Sequence, residues 1–281
     1  LLIGRQDAGD ASWTVTLDAI EAEAGVGAFY VLNVETRTEA DILLAAAWVE
    51  ARRMILIAQS SDAAILTGAA GNVFEDLQTA GYHRTAGIYH AIDDSVGGNA
   101  PPDGYLDGAW SSSGGGLNLD APAGVGVWAY RSLEAVPFDT LSTTEANNIW
   151  TPNGNLYGRQ KGLSFTSKGT VASGRRIDVT TSLDWLAARI EEAVLEEFVG
   201  APTKVPYTNA GISRVVAAVQ GVLDRGVTFG HLSPDQPATI DAPLVENVSP
   251  ADKAAGLLTL TVNAVLAGAI VKAVINVTVQ Q

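Results

Sequence analysis

The residue types able to do chemistry occur in this sequence, but their spacing is not that of a reaction centre. Three histidines, His83, His90 and His231, stand apart from one another. None lies in an H-E-x-x-H or comparable metal-ligand spacing. His83 and His90 flank one predicted strand at an odd separation, which sends side chains to different faces. Cysteine is absent, which excludes disulfides, thiolate catalysis and cysteine-held zinc or iron–sulfur clusters. A strand–loop–helix opening with Gly4 and Gly9 at the spacing of a phosphate-binding loop invites a nucleotide reading. That loop needs a lysine followed by Ser or Thr; here Asp10 and Ala11 stand in those places, and a carboxylate repels phosphate. Gly124 and Gly126 supply only the first two glycines of a dinucleotide fingerprint. "SSSGGG" at 111–116 has loop composition and lacks the strand–turn–helix setting of a nucleophile elbow. Trp110, Trp128, Tyr130 and Trp150 gather in the middle third, where buried packing is a better account than sugar stacking. No catalytic residue, metal site or cofactor is expected. An α/β nucleotide-binding enzyme and a carbohydrate-binding protein are the competing readings.

Charge narrows the partners. With 17 basic residues against 31 acidic ones the net charge is −14, the wrong sign for nucleic acid or an anionic membrane. No apolar run reaches the roughly 18 residues that span a bilayer. Another protein or a neutral surface is the expected partner. The 281 residues, 47% of them hydrophobic and 17% charged, are enough to bury a substantial core in one or two domains.

The elements that position these residues fall into two regions. Over the first 90 residues strands and helices alternate: "LLIG", a helix from Ser12 to Ala24, "AFYVLNV", a helix from Thr38 to Arg52, "RMILIAQ", a helix over Asn72–Ala80, and "TAGIYH". Thr38 with Asp41 stands in the capping-box place of the second helix. This order implies right-handed crossovers and a mostly parallel sheet. Turn chemistry fills 93–123, with at most a short helix near Tyr105 to Trp110. Beyond it come a short helix in "TTEANNIW", paired strands around the turn "TSKGT", and a long helix from Thr181 to Phe198, capped by Thr181 and striped by Leu183, Leu186, Ile190, Val194 and Phe198. Glu191, Glu192, Glu196 and Glu197 avoid that stripe and read as its solvated face; the alternative is that they meet a basic patch on a neighbouring subunit. A further helix ends at Gly226, and strands at Leu257–Asn263 and Ala269–Val279 close the chain. The fold class expected is therefore α/β plus α+β: a parallel-sheet domain at 1–135 and a C-terminal domain at 136–281 ending in a hairpin or strand arm. In that arm Val271, Ala273, Ile275, Val277 and Val279 alternate onto one face, the pattern of a strand that wants a partner.

From about Ser142 onward the sequence resembles the tail sheath proteins of contractile-tailed bacteriophages, in the compact branch of that family. The resemblance rests on "TTEANNIWTPNGNLYGRQKGLSFTSKGTVASGRRIDVTTSLDWLAARIEEAV", then "VPYTNAGI", "VSPADKAAG" and "LAGAIVKAVINVTV" in that order. Upstream, "FYVLNVETRTEADILLAAAWVEAR" and "IAQSSDA" are similar as well. The family-motif positions are Asn147 and Asn148, Asn155, Tyr157, Asp178, Trp185, Tyr207 and Gly211. The resemblance implies a structural protein without catalysis or cofactor, with a tail tube or baseplate component as the alternative in the same class. Its subunits would form hexameric rings stacked into a helical polymer around a tail tube protein, with baseplate and tail terminator as further partners, no nucleic acid and no membrane insertion. Terminal strands would add to a sheet in the adjacent subunit, with Val271, Ala273, Ile275, Val277 and Val279 at that interface. Because the sequence opens on Leu1-Leu2-Ile3-Gly4, which reads as the end of a buried strand, the matching N-terminal arm is expected to be missing.

Overall fold

A computed structural model describes residues 4–6, 9–91, 104–122, 124–133 and 136–269. Among these the chain forms two compact units, Leu1–Leu117 with Gly126–Thr180, and Asn118–Val125 with Thr181–Ile270. The division therefore lies near residue 180 and not at 135. The reason is backbone pairing, since strands from 155 to 166 hydrogen-bond onto the sheet of the first unit.

That sheet has five strands in sequence order: β1 (Val31–Asn33), β2 (Ile55–Ser60), β3 (Thr85–Tyr89), β4 (Asn155–Gln160) and β5 (Leu163–Thr166). The first four run parallel and β5 returns antiparallel. Parallel strands are covered on both faces, so β2 and β3 are buried at every position. Alternation sends Leu56 and Ala58 to one face and Ile55 and Ile57 to the other. On the first face pack α1 (Trp13–Ala24), α2 (Glu39–Glu50), the short α3 (Ala63–Thr67), α4 (Val73–Thr79) and α6 (Thr143–Trp150), through Leu17, Ile42, Val49, Phe74, Leu77 and Ile149. On the second lie α5 (Leu106–Gly115), Trp128, Leu133 and Val171.

Local chemistry explains most boundaries. Asn72 caps α4 by accepting from the backbone N–H groups of Phe74 and Glu75, and Ser142 with Glu145 forms a full capping box on α6. The expected box on α2 does not form. Asp41 Oδ2 instead accepts the hydroxyls of Thr36 at 2.9 Å and Thr38 at 2.6 Å. The Ser/Gly run read as a loop is helical to Gly115, because small residues let α5 lie close against the core: a Cβ at Gly114 would stand 2.5 Å from the Trp128 ring. The β4–β5 hairpin turns at Lys161-Gly162, not at "TSKGT". Both residues hold positive φ, 49° and 85°, as a two-residue hairpin turn requires.

In the second unit α7 (Ile177–Val199) begins four residues before the expected Thr181, and its first four residues are counted with the first unit. α8 (Asn209–Phe229) runs past Gly226 and stops at Gly230, whose left-handed backbone closes the helix. Its core centres on Val219, Leu223 and Leu232, flanked by Leu186, Ile190 and Val194 of α7. Leu183 and Phe198, expected in that stripe, are exposed. A two-stranded antiparallel sheet, β6 (Thr239–Asp241) with β7 (Thr261–Asn263), and α9 (Pro250–Ala255) complete the unit. β7 is much shorter than the Leu257–Asn263 strand expected there. Val271, Ala273, Ile275, Val277 and Val279 lie outside the described residues, as do Leu1–Ile3.

Candidate functional site

The family-motif side chains are built into the two units as fasteners. Asn155, the first residue of β4, is fully buried and uses all of its amide. Its Nδ2 donates to the carbonyls of Gly87 at 2.9 Å and Thr170 at 2.8 Å, and its Oδ1 accepts from the N–H groups of Gly169 at 2.9 Å and Thr170 at 3.0 Å. It joins β3, β4 and the turn after β5 at one point. Two residues on, Tyr157 donates its hydroxyl to the Leu133 carbonyl at 2.9 Å and accepts the Leu133 N–H at 3.2 Å. Asn148 reaches from α6 to the Leu66 carbonyl at the end of α3, 2.7 Å away. Asp178, in the first turn of α7, takes Arg176 through two 2.9 Å contacts, where the positive end of the helix also favours a carboxylate.

In the second unit Trp185 stacks on His231 with ring centroids 4.1 Å apart and planes 10° from parallel. Its indole N–H donates to Asp120 at 2.8 Å. His231 is fully buried. Its Nε2 lies 3.0 Å from the Leu119 carbonyl, which can only accept, so Nε2 carries the proton and Nδ1 accepts from Ser182 at 3.2 Å. Desolvation holds the imidazole below its ordinary pKa, so it is neutral near pH 7. Tyr207 donates to the Leu257 carbonyl at 2.7 Å, and Asn209 accepts the Val245 N–H at 2.7 Å. Two separated motif segments, "VPYTNAGI" and the stretch around "VSPADKAAG", therefore meet at the start of α8. Gly211 sits there because a Cβ would collide with the Pro206 carbonyl.

The remaining polar candidates are also occupied structurally. His90 faces Asp139 at 3.0 Å, both buried. His83 contacts Ser173 at 2.8 Å, and Asp10 accepts the Thr16 hydroxyl at 2.7 Å. Among the described residues no group of three His, Asp or Glu side chains is placed to hold a metal, and no helix is long and apolar enough to cross a membrane. Of the aromatic group, Trp110 and Trp128 pack edge-to-face in the core with centroids 5.6 Å apart, while Tyr130 is exposed.

The second unit carries two kinds of open surface. Among the described residues β6 and β7 pair only with each other, so each strand has an edge with no further strand on it. A two-stranded sheet is marginal alone, and such edges accept added strands. The outer arc of α7 carries Leu195, Phe198 and Val199 at 61%, 53% and 76% exposure. Sequence reasoning missed this arc by treating α7 as apolar on one side only. The signal was available, because Leu195 and Val199 fall off the predicted stripe.

Comparison with known proteins agrees with the resemblance read from the sequence. Residues 177–239, which hold α7 and α8, match the family described as E217 tail sheath protein gp31-like, C-terminal domain. A sequence search of the curated proteins found no match. Among solved structures, a chain of the cryo-EM structure of the anti-feeding prophage baseplate, 6-fold symmetrised, superposes with a TM-score of 0.67 at 16% identity, covering 99% of this chain and 75% of that one. A chain of the cryo-EM structure of an extracellular contractile injection system, the PVC sheath complex in its contracted state, gives 0.58 at 14% identity, covering 80% and 64% respectively. The fold is shared with components of contractile injection systems.

Proposed function

We propose that this chain is a sheath subunit of a contractile tail, polymerising as stacked hexameric rings around a tail tube and contracting to drive the tube through a host envelope. The observation that carries the proposal is the match of residues 177–239 to a sheath C-terminal domain, within the unit whose small sheet, among the described residues, keeps two open edges. In this reading the polymer stores the energy and no residue acts on a substrate. The terminal segment bearing Val271, Ala273, Ile275, Val277 and Val279 adds to the β6–β7 sheet of a neighbouring copy. Main-chain hydrogen bonds supply the strength and alternate side chains the register. Subunits tethered in this way can move as rigid bodies without separating.

Electron microscopy of the full-length protein tests this. Hollow helical tubes are expected from the wild type. Ile275→Pro, which removes a ladder hydrogen bond, is expected to abolish them while leaving the denaturation midpoint unchanged. Wild-type protein that never forms tubes would sink the sheath reading, whereas tubes from Ile275→Pro would sink strand addition alone. The likeness to a baseplate chain favours a second reading, a component of the baseplate itself. Single closed rings that do not stack would decide for it.

A further inference from the structure

Charge is unevenly placed along the chain. Between residues 146 and 177 there are cations at Arg159, Lys161, Lys168, Arg175 and Arg176 and no carboxylate, within a protein of net charge −14. Arg159 and Lys161 stand exposed at the tip of the β4–β5 hairpin, beside Leu163, which is 70% exposed. The Arg159 guanidinium lies 5.4 Å from the Phe138 ring centre, a cation–π contact that leaves its charge in place. The outer arc of α7 has the reverse character. Glu191, Glu192 and Glu196 are exposed there together with Leu195, Phe198 and Val199. At about 100° per residue these six positions share an arc of roughly 160°, opposite the Leu186, Ile190 and Val194 stripe that faces the core. α7 is thus apolar on two sides and covered on one. Clustered exposed apolar groups of this kind mark an interaction surface.

We infer that the hairpin tip of one copy docks on the outer face of α7 of a second copy. Leu163 enters among Leu195, Phe198 and Val199, while Arg159 and Lys161 pair with Glu191 and Glu196, beside Glu192, which pairs with Arg189 of its own helix. Complementarity in both charge and apolar exposure selects a second copy as the occupant. The contact is heterologous: each copy uses its hairpin on one neighbour and its helix on another, so association continues into a closed ring or an open helix. It also supplies a lateral contact independent of terminal strand addition. The inference rests on the self-assembly reading above.

Charge swapping tests it. Two variants, Arg159→Glu with Lys161→Glu and Glu191→Lys with Glu196→Lys, are compared with wild type by sedimentation and electron microscopy after denaturation midpoints confirm folding. Each variant alone is expected to raise the concentration needed for assembly about tenfold or more. Their equimolar mixture is expected to recover assembly, because reversed hairpins then meet reversed helices. Variants that assemble as wild type does, or a mixture that stays dispersed, overturn the docking while leaving the sheath reading intact. A wild-type protein that does not assemble overturns both.

Discussion

The two units solve the problem of burial differently. In the first, a parallel sheet is covered on both faces, and most polar groups inside it are met by partners within the unit, as Asn155 and Tyr157 illustrate, with Thr85 Oγ1 and Ser111 Oγ left without one. In the second, among the described residues, the buried cluster is small and anchored by Val219, Leu223 and Leu232, the sheet has two strands, and Leu183, Leu195, Phe198, Val199, Leu244, Leu257 and Val265 stay exposed. A closed unit is stable by itself and changes little on assembly. An open one is completed by what docks on it. The contrast teaches where to look for function: at exposed apolar groups and uncovered strand edges, which the second unit carries around a small core and the first carries at its Leu163 hairpin tip, and not around the best-buried polar residues.

The sharpest way to break this contrast is to remove a fastener from the closed unit. Asn155→Ala leaves the Gly87 and Thr170 carbonyls and the Gly169 and Thr170 N–H groups without their partner in a fully buried place. A loss of about 3–5 kcal/mol is expected, read as a lower urea midpoint. A loss below about 1 kcal/mol would mean that water replaces the amide and the unit is less closed than described.

A smaller effect is expected at the open unit. Gly211→Ala places a methyl against the Pro206 carbonyl at the start of α8. The segment can give way because it is exposed on one side, so a cost of about 1–3 kcal/mol is expected. The same substitution disturbs the meeting of "VPYTNAGI" with the Val245–Leu257 stretch. Its assembly defect is therefore expected to exceed what the stability loss explains. Assembly that tracks stability alone would remove Gly211 from the functional surface.

Much of the fold was legible in the sequence, and the parts that were not have physical reasons. The alternating strands and helices of the first 90 residues are carried by local signals, such as the apolar run 55–58 and the Asn72 cap, which need no distant partner. The helical Ser/Gly run of α5 was not legible, because Trp128, outside the helix and 14 positions beyond Gly114, is what makes small residues favourable there. The hairpin turn was misplaced because "QKG" and "TSKGT" both offer a positive-φ pair, and only cross-strand pairing chooses between them. The roles of Asn155 and Asn148 as fasteners depend on contacts across 14 to 82 positions, which no local pattern announces. Neither residue of the Trp185–His231 stack announces the other, 46 positions away.

That stack supplies the finest test of the contrast, because it places a titratable group at the centre of the open unit. Burial depresses the folded-state pKa of His231 below its ordinary value of 6.5. The unfolded chain then binds a proton that the folded unit refuses. Above pH 6.5 both states are neutral and nothing is lost; as the pH falls below 6.5 the unfolded state gains, and stability declines towards the folded-state pKa. The groups that face the ring are the Leu119 carbonyl, Asp120, Ser182 and Trp185; Asp120 and the Leu119 carbonyl oppose the shift without reversing it. His231→Gln keeps a donor for the Leu119 carbonyl and cannot take up a proton. A urea midpoint that falls between pH 7 and pH 5 in the wild type is therefore expected to fall less in His231→Gln. Parallel pH profiles for the two proteins would show instead that the acid response belongs to carboxylates, and that the stacked imidazole is accessible enough to keep its ordinary pKa.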